Sequence, residues 1–267
     1  LIDGEPVVGV VSAPALHWVS KTGAPEAAQG YDDSTWKVAS STTERTPWQK
    51  PTLGGAALDS NLLGFYEGSV WYRAHFTADT TRTLKLNANG GQGAPKPNGV
   101  DPAFMQVWIN GTYAGAYRAV GNTTSIELPS SIKAGDPVVL SVVVHNLGQN
   151  LDWSDNGLSR QSRGLNSASL PAKGAVTWRV RGALSTEQTG DTARTMYNNG
   201  GLYGERAGWY LPGMPDKDWT AATTMTVDHP GIRWYRSTFN LSVPTGQDTT
   251  FHSCLLYTSD AADDMQC

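Results

Sequence analysis

Short stretches in which apolar and polar side chains alternate dominate the chain. In 71–76, alternation puts Tyr72, Ala74 and Phe76 on one face of a predicted strand, and we take that face as the core. Trp71, Arg73 and His75 then lie on the other face, where a neighbouring loop can cover them. This pattern predicts β-strands packed on at least one side.

Other segments predict further strands. Residues 105–109 alternate, 112–118 follow as a return strand, and 138–144 are nearly all apolar, as in a strand buried on both sides. Asn110-Gly111 between the first two is a strong hairpin signal. Shorter strands are predicted at 84–86, 125–129 and 176–181, and long loops at 87–101 and 145–169. Helical periodicity is missing, so we predict an antiparallel β-sandwich, most simply a jelly roll.

The strand motif Trp-Tyr-Arg-x-x-Phe occurs twice, at 71–76 and at 234–239. An Asp-x-x-Trp signal precedes each copy, at 33–36 and at 216–219. The first copy carries the longer segment between its signal and its strand motif. Two copies this far apart predict two similar domains in tandem rather than a solenoid, whose repeats are much shorter.

The predicted organisation has four parts. Residues 1–29 form a linker or edge strand from a preceding domain, 30–182 a complete first jelly roll, and 183–251 a truncated second one. Residues 252–267 break the strand pattern and are similar to a translated sequencing-adaptor read-through, with a natural polar tail as the alternative. With no initiator methionine or signal peptide, the chain is expected to be a piece of a longer protein. We expect the truncated copy to be disordered or prone to aggregation through an unpaired sheet edge.

Composition excludes several partners. The 20 Lys and Arg against 24 Asp and Glu give a net charge of −4, and no basic run occurs, so neither nucleic acid nor an anionic membrane is an expected partner. No apolar stretch is long enough to span a membrane. Both cysteines, Cys254 and Cys267, lie in the tail, so the body has no disulfide framework.

No catalytic constellation is predicted. The seven glutamates are scattered singly, whereas retaining glycoside hydrolysis needs two carboxyl groups about 5–5.5 Å apart. The five histidines have no zinc-binding spacing, and His145 is expected to have a hydrogen-bonded structural role. Glu205 and Arg206 are expected to form an ion pair or a contact between domains rather than to catalyse.

Carbohydrate binding is the functional candidate, because sugars stack on aromatic faces flanked by a few polar groups. Trp153 lies in a predicted loop with Asp152, Asp155 and Asn156, and Trp209 with Tyr210 forms a second candidate surface, for which a contact between domains is the alternative. The oxygens of the first group equally suit a calcium ion, and an ordinary turn-rich loop packed on an adjacent domain is the simplest interpretation. No other cofactor is expected.

The ordered set of motifs resembles the tandem C-terminal jelly rolls, similar to galactose-binding domains, of family-thirty-five β-galactosidases. To the repeat, the set adds Val107-Trp108-Ile109-Asn110-Gly111, His145-Asn146-Leu147-Gly148-Gln149-Asn150 with Arg163-Gly164-Leu165, Trp178-Arg179-Val180-Arg181-Gly182, and the run from Gly200 to Gly213. The resemblance implies an upstream (β/α)8 barrel that carries two catalytic glutamates, so no catalytic residue is transferred to this chain. It also implies an extracellular parent enzyme that hydrolyses terminal β-galactosides.

Three hypotheses follow. The first is a non-catalytic, supporting region of a β-galactosidase whose partner is the upstream barrel and, as a second ligand, a β-galactoside. The second is a stand-alone carbohydrate-binding module or lectin. The third is the sugar-binding domain of another glycosidase such as a β-glucuronidase, against which the paired jelly rolls joined through 178–182 count.

Overall fold

The computed structural model describes residues 16–40, 53, 55–66, 68–96, 99–146, 161–183, 200–223 and 231–240. The chain divides into two compact units. The larger, Val19–Arg236, contains every paired strand residue. In the smaller, Leu1–Trp18 with Ser237–Cys267, the described side chains of Leu16 and Phe239 are exposed.

Fourteen strands are present in the described residues, and all their pairings are antiparallel. They are β1 (Trp18–Thr22), β2 (Lys37–Ala39), β3 (Gly68–Thr77), β4 (Thr83–Asn89), β5 (Gln92–Lys96), β6 (Gly99–Pro102), β7 (Phe104–Ile109), β8 (Thr112–Arg118), β9 (Val120–Glu127), β10 (Pro137–Asn146), β11 (Gly164–Ser169), β12 (Thr177–Arg181), β13 (Thr220–Ala222) and β14 (Arg233–Arg236). The helices of the described part are a 3₁₀ turn, Pro25–Ala27, and α1 (Tyr203–Arg206), and neither is long enough to cross a membrane. The predicted all-β antiparallel class is confirmed.

The main core lies between two sheets. A six-stranded sheet has the order β2-β12-β3-β10-β7-β8, and a three-stranded sheet has the order β11-β4-β9. Tyr72, Ala74 and Phe76 pack in one buried cluster with Leu84 and Leu86 of the opposite sheet. The predicted core face of the Trp-Tyr-Arg strand is therefore confirmed, and β10 is buried from Val138 to Val144 as predicted.

The hairpin predicted at Asn110-Gly111 is confirmed, since it joins β7 to β8. Both turn residues have positive φ, 48° and 82°, and the missing side chain of Gly111 makes that conformation inexpensive.

The two predicted long loops are each wrong in part. Within 87–101, β4 continues to Asn89, and β5 pairs with β6 in a separate two-stranded sheet. Within 145–169, β10 continues to Asn146, and β11 occupies Gly164–Ser169. The rest of that second loop, 147–160, lies outside the described residues.

A second buried cluster covers the outer face of the six-stranded sheet. Trp71, Trp108 and Val143 lie on that face and pack against Ala27 and Trp36 of the segment 24–36, here called the first anchor loop. This confirms that the face opposite the main core is covered by a neighbouring loop. The cover comes from a segment that begins inside the predicted linker, 1–29.

The second repeat has its own three-stranded sheet, in the order β13-β1-β14. In the first repeat, β12 lies between β2 and β3 and pairs with both. In the second repeat, β13 corresponds to β2, because each follows an Asp-x-x-Trp signal. Likewise β14 corresponds to β3, because both carry the Trp-Tyr-Arg motif. β1 lies between β13 and β14 and therefore corresponds to β12.

The register of the two copies agrees. In β12, Val180 is opposite Tyr72, and in β1, Ser20 is opposite Tyr235. Each of these two strands has a tryptophan two positions earlier, Trp178 and Trp18. The structure thus places β1 as the middle strand of the second repeat, where the sequence predicted a linker or edge strand from a preceding domain. The predicted boundaries at 182 and 251 stay predictions.

Candidate functional site

Arg73 lies at the centre of a buried polar cluster on the outer face of the six-stranded sheet. Its side chain has no solvent exposure, and its Nε donates a 2.7 Å hydrogen bond to Oδ2 of Asp33. One terminal nitrogen, Nη1, also donates to the hydroxyl of Ser141 at 2.9 Å. The terminal nitrogens of the guanidinium also donate hydrogen bonds to four backbone carbonyl oxygens of the first anchor loop. These belong to Glu26, Ala28, Gln29 and Tyr31. Arg73 therefore fastens this loop to the outer face of the sheet.

Arg236 repeats the arrangement in the second copy. Its Nε donates to Oδ2 of Asp216 at 3.2 Å, and its terminal nitrogens bind backbone carbonyls of the segment 207–219, here called the second anchor loop. Those carbonyls belong to Trp209, Leu211 and Met214. Counted back from the Asp-x-x-Trp signals, they stand at the same positions as the carbonyls of Glu26, Ala28 and Tyr31, which bind Arg73.

The Asp-x-x-Trp signal is a local turn that presents its carboxylate to the arginine. In both copies the backbone N–H of the tryptophan donates a 2.9 Å hydrogen bond to the backbone carbonyl of the aspartate. The pairs are Trp36 with Asp33 and Trp219 with Asp216. The tryptophan rings are buried. The repeated motif is therefore a structural device: an arginine on a strand is neutralised by an aspartate and holds the loop that carries it.

Two further basic side chains lie beside Asp33. His75 Nε2 lies 2.6 Å from Oδ2 of Asp33, and Arg179 Nε lies 3.6 Å from Oδ1. Burial favours the protonated carboxyl, but the hydrogen bonds from His75 and Arg73 outweigh it and hold the pKa of Asp33 below its usual range. Asp33 is thus an ionised, multiply bonded group that has the geometry of a fold-stabilising site.

An ion pair joins the two repeats. Arg206 of α1 donates through Nη2 to Oε1 of Glu26 at 2.5 Å, and the Glu26 side chain is completely buried. Glu205 accepts the N–H of Leu202 at 2.9 Å. Arg206 thus forms an ion pair with Glu26 of the first anchor loop, and the expected contact between domains at 205–206 stays a prediction.

Gly201 lets the chain just before α1 lie directly against β3. Ser69 N–H donates to the carbonyl of Gly200 at 3.1 Å, and a Cβ added at Gly201 would overlap the carbonyl oxygen of Ser69. Gly201 also has φ of 124°, which side-chain-bearing residues rarely adopt. Only glycine allows this close approach.

We expect Gly201→Ala to lower the free energy of unfolding by at least about 2 kcal/mol, because backbone strain and a steric clash act together. Gly213→Ala is the matched control. Gly213 has φ of 76° but no atom within 4 Å of the added Cβ, so strain alone should cost about 1 kcal/mol. Urea denaturation followed by tryptophan fluorescence measures both, and equal losses would contradict the close approach.

Glu26 should give the fold an unusual pH dependence. Burial raises its pKa above 4.5, although Arg206 and Arg73 oppose the shift. The folded chain therefore keeps the Glu26 carboxyl protonated at pH values where the unfolded chain has lost that proton. The contribution of this proton to the free energy of unfolding is complete below pH 4.5 and is lost as pH rises through the raised pKa.

We therefore expect the stability difference between the unaltered chain and Glu26→Gln to shift in favour of the unaltered chain as pH falls from 7 to 5. Glutamine cannot take up the proton, so the variant lacks this contribution to the pH dependence. Glu127→Gln, at an exposed position, serves as the control, and urea denaturation at several pH values supplies the free energies. A pH-independent difference for Glu26→Gln would show that burial does not perturb this carboxyl.

Of the predicted carbohydrate-binding residues, the structure describes Trp209 and Tyr210. Trp209 is 6% exposed and its ring makes edge contacts with Tyr203, Trp219 and Trp234. Tyr210 is half-buried. Stacking on a sugar needs an accessible ring face, so Trp209 is placed as a packing residue here, and binding by the pair stays a prediction.

The other predicted group lies outside the described residues. Asp152, Trp153, Asp155 and Asn156 all fall within 147–160. Their sugar-binding and calcium-binding interpretations therefore stay predictions. Within the part of the chain that the structure describes, no group of three or more His, Cys, Asp or Glu side chains is arranged to hold a metal ion.

Two described carboxyls are buried enough to have raised pKa values, those of Glu26 and Asp59. Burial is the main cause at both, and hydrogen bonds to Asp59, including the Asn61 N–H at 2.8 Å, oppose it there. Glu26 is 0% and Asp59 2% exposed, so neither can contact a substrate. The described site is suited to holding loops and repeats together.

Sequence reasoning missed Glu26 and Arg206 as partners. Glu26 lies in a Pro-Glu-Ala stretch within the predicted linker, and 180 residues separate it from Arg206. No local pattern marks such a pair. The repeat itself was the available signal, because counting back from each Asp-x-x-Trp signal aligns the first anchor loop with the second.

The chain matches a family model described as the β-galactosidase second all-beta domain, at residues 31–150 and 203–262. One matched segment falls in each copy of the repeat. Together they cover more than half of the chain.

Curated relatives extend the match over nearly the whole chain. β-Galactosidase A of a Penicillium species is 31% identical to this chain over 255 residues, which cover 91% of this chain and 24% of the relative. A probable β-galactosidase A of Emericella nidulans is 33% identical over 251 residues, 89% of this chain and 23% of the relative. The chain thus spans about a quarter of the length of these relatives.

Solved structures overlap the chain more loosely. The match to a glycosyl hydrolase family 2 member from Bacteroides cellulosilyticus covers 61% of this chain and 20% of that protein, at 18% identity and a TM-score of 0.32. Bacteroides uniformis β-glucuronidase 2 covers 61% of this chain and 17% of its own, also at 18% identity and a TM-score of 0.32. Overlap at this level does not indicate function.

Proposed function

Because this chain belongs to the β-galactosidase second all-beta domain family, we propose that it is the supporting β-sandwich region of an enzyme that hydrolyses terminal β-galactosides. The observation that carries the proposal is the match of about 90% of the chain to about a quarter of each β-galactosidase relative. The catalytic groups belong to the remainder of the longer protein. On this proposal they lie on an upstream (β/α)8 barrel, as the sequence resemblance implies, and that barrel is the proposed partner of this region.

The buried polar clusters support this role. Three buried charged groups, Arg73, Asp33 and Glu26, fasten loops and repeats to each other. Such a rigid scaffold can hold an adjoining catalytic domain in place and shape access to it. The proposed location of the parent enzyme is extracellular, as the resemblance implies.

The test compares the 267-residue chain with the longer protein that contains it, using an aryl β-galactoside as substrate. We expect hydrolysis by the longer protein and none by the chain. In the longer protein, Arg73→Met should lower the melting temperature. At temperatures below that of unfolding, the variant should still bind galactose at its catalytic site. Turnover by the isolated chain that depends on one of its own carboxylates would overturn the proposal, as would a longer protein inactive on every β-galactoside tested.

Carbohydrate binding is the second candidate, and the sequence Leu151-Asp152-Trp153-Ser154-Asp155-Asn156 favours it, because it combines an aromatic with carboxylates and an amide. Calorimetry with galactose and a β-galactan should show binding that weakens in Trp153→Ala. Heat signals absent from both titrations would exclude this role. Loss of binding on calcium chelation would separate the calcium interpretation from direct sugar contact.

A further inference from the structure

The outer face of the six-stranded sheet is covered in part. The first anchor loop covers it around Trp71 and Trp108. The same loop reaches the hairpin, since backbone atoms of 27–29 lie within 4 Å of a Cβ built on Gly111. Phe104 lies on the same face of β7 as Trp108, because alternate residues of a strand share a face. Phe104 is 43% exposed and Trp108 only 5%, so the face is open around Phe104.

Two side chains of neighbouring strands lie next to Phe104 on this open face. Arg118 of β8 stands directly opposite Phe104 in the register and is exposed. Directly opposed residues have Cβ atoms about 5 Å apart, so one ligand can contact both side chains. His145 of β10 packs against Phe104, with ring centroids 4.2 Å apart. Ala116, the next residue of β8 on this face, is exposed, and its small side chain leaves room beside Arg118.

Arg118 differs from the other arginines of this face in its charge balance. Arg73 and Arg179 both lie beside the carboxylate of Asp33, at 2.7 and 3.6 Å. Arg118 makes no hydrogen bond, ion pair or ring contact with a residue in the described ranges. An exposed guanidinium without an acidic neighbour, next to an exposed aromatic ring, suits a ligand that combines an apolar face with an anionic group.

We propose that Phe104 and Arg118 bind a carboxylated sugar, a hexuronate unit of a glycan. The C–H face of the sugar ring stacks on the exposed face of the Phe104 ring. The sugar carboxylate accepts two parallel hydrogen bonds from the guanidinium of Arg118, the geometry in which arginine binds carboxylates best. His145 is a positioning residue, because its ring packs against that of Phe104 and fixes the orientation of the stacking surface.

The choice of a saccharide as the ligand rests on the proposed function, because the surface itself requires only an anion next to an apolar face. The site is separate from the candidate loop 151–156, for which neutral galactose or galactan is the expected ligand. A neutral sugar would contact the ring of Phe104 but gain no charge-assisted hydrogen bond from Arg118. The surface should therefore prefer a uronate to the neutral sugar of the same configuration.

Titration of the isotope-labelled 267-residue chain with D-galacturonate, D-glucuronate and D-galactose, followed by backbone amide chemical shifts, tests this preference. The two uronates differ only at C4 and show which sugar configuration the surface accepts. We expect saturable shifts at Phe104, Ala116 and Arg118 with a uronate. Galactose should bind at these positions about tenfold more weakly, because hydrogen bonds to a charged donor are lost.

Three variants assign the roles of the side chains. Arg118→Gln should weaken uronate binding about tenfold, to the level of galactose, and added salt should weaken binding to the unaltered chain in the same direction. Phe104→Ala should abolish the shifts with all three sugars. Lys85→Gln removes an exposed cation from β4, on the other sheet, and should change nothing. Amide spectra that match those of the unaltered chain away from the substitution show that each variant is folded.

Several results would overturn the proposal. They are no saturable shift with either uronate, equal affinities for uronate and galactose, unchanged uronate affinity in Arg118→Gln, and shifts confined to other parts of the chain. Dimerisation through β8 that blocks the uronates would also overturn it, because a second copy would then be the occupant. Hydrolysis of an aryl β-galactoside by the longer protein should be unchanged by Arg118→Gln. Failure of the uronate site and failure of the proposed function are therefore distinguishable.

Discussion

Replacing Arg73 by methionine is expected to lower the free energy of unfolding by about 3–5 kcal/mol, the range typical of breaking a buried ion pair from one side. Methionine fills much of the volume but leaves the carboxylate of Asp33 without its 2.7 Å partner. It also leaves the carbonyls of the first anchor loop without a donor, so the loop should detach from Trp71 and Trp108. Urea denaturation, followed by fluorescence and by near-ultraviolet circular dichroism, measures the loss.

Two comparisons separate this mechanism from simple loss of packing. Arg236→Met changes the equivalent position, but its side chain is partly exposed and its pair with Asp216 is longer, 3.2 Å, so the loss should be smaller. Adding Asp33→Asn to Arg73→Met should cost less than the sum of the two single changes, because the unpaired carboxylate is then absent. Equal losses at the two arginines, together with additive effects of Arg73 and Asp33, would contradict the account.

His145 should make the chain sensitive to mild acid. Burial lowers the pKa of this imidazole from 6.5 to about 4, and its ring packs 4.2 Å from that of Phe104. The folded chain therefore resists protonation that the unfolded chain accepts. The stabilisation is complete above pH 6.5 and is lost as pH falls towards 4, by about 3 kcal/mol in total.

His145→Gln is expected to remove most of this slope, since glutamine does not titrate but can still hydrogen bond to Ser69, which now lies 2.9 Å from Nδ1 of the histidine. His17→Gln is the control, because His17 is exposed. Unfolding free energies at pH 7, 6, 5 and 4.5 give the slopes. An unchanged slope in His145→Gln would mean that the imidazole is accessible to protons in the folded chain.

Local patterning predicted most of the first sandwich. Alternation around Tyr72 identified the core face, the nearly continuous apolar run of β10 identified a strand buried on both sides, and Asn110-Gly111 located a hairpin. These features succeed because each depends on side-chain direction or backbone conformation within a few residues. The hydrogen-bonded structural role expected of His145 also agrees with its contact to Ser69.

Long-range pairings were not predictable in this way. β1 pairs with β14, near the other end of the described chain, and so short a strand carries no information about its partner. The same holds for Glu26 with Arg206. The sheet formed by β5 and β6 lies in a Gly- and Pro-rich segment whose composition is typical of loops.

The candidate site shows the same division. The Trp-Tyr-Arg motif was correctly interpreted as structural, but the sequence could not show that Arg73 binds carbonyls of a much earlier loop. Trp209 was selected as an aromatic next to a tyrosine, a pattern that does not separate an accessible ring from a packed one. Only the arrangement of the surrounding aromatic side chains decides that question.

The central structural claim is a duplicated strand motif, in which a strand that precedes the first copy joins the sheet of the second. Pairing of Ser20 with Tyr235 tests this directly. In a chain with Cys254 and Cys267 changed to serine, Ser20→Cys and Tyr235→Cys should form a disulfide on mild oxidation, because directly opposed strand residues lie within disulfide range. We predict efficient crosslinking for this pair and little for Lys21→Cys with Tyr235→Cys, whose side chains point to opposite faces. Absence of a crosslink between positions 20 and 235 in the folded chain would contradict the account.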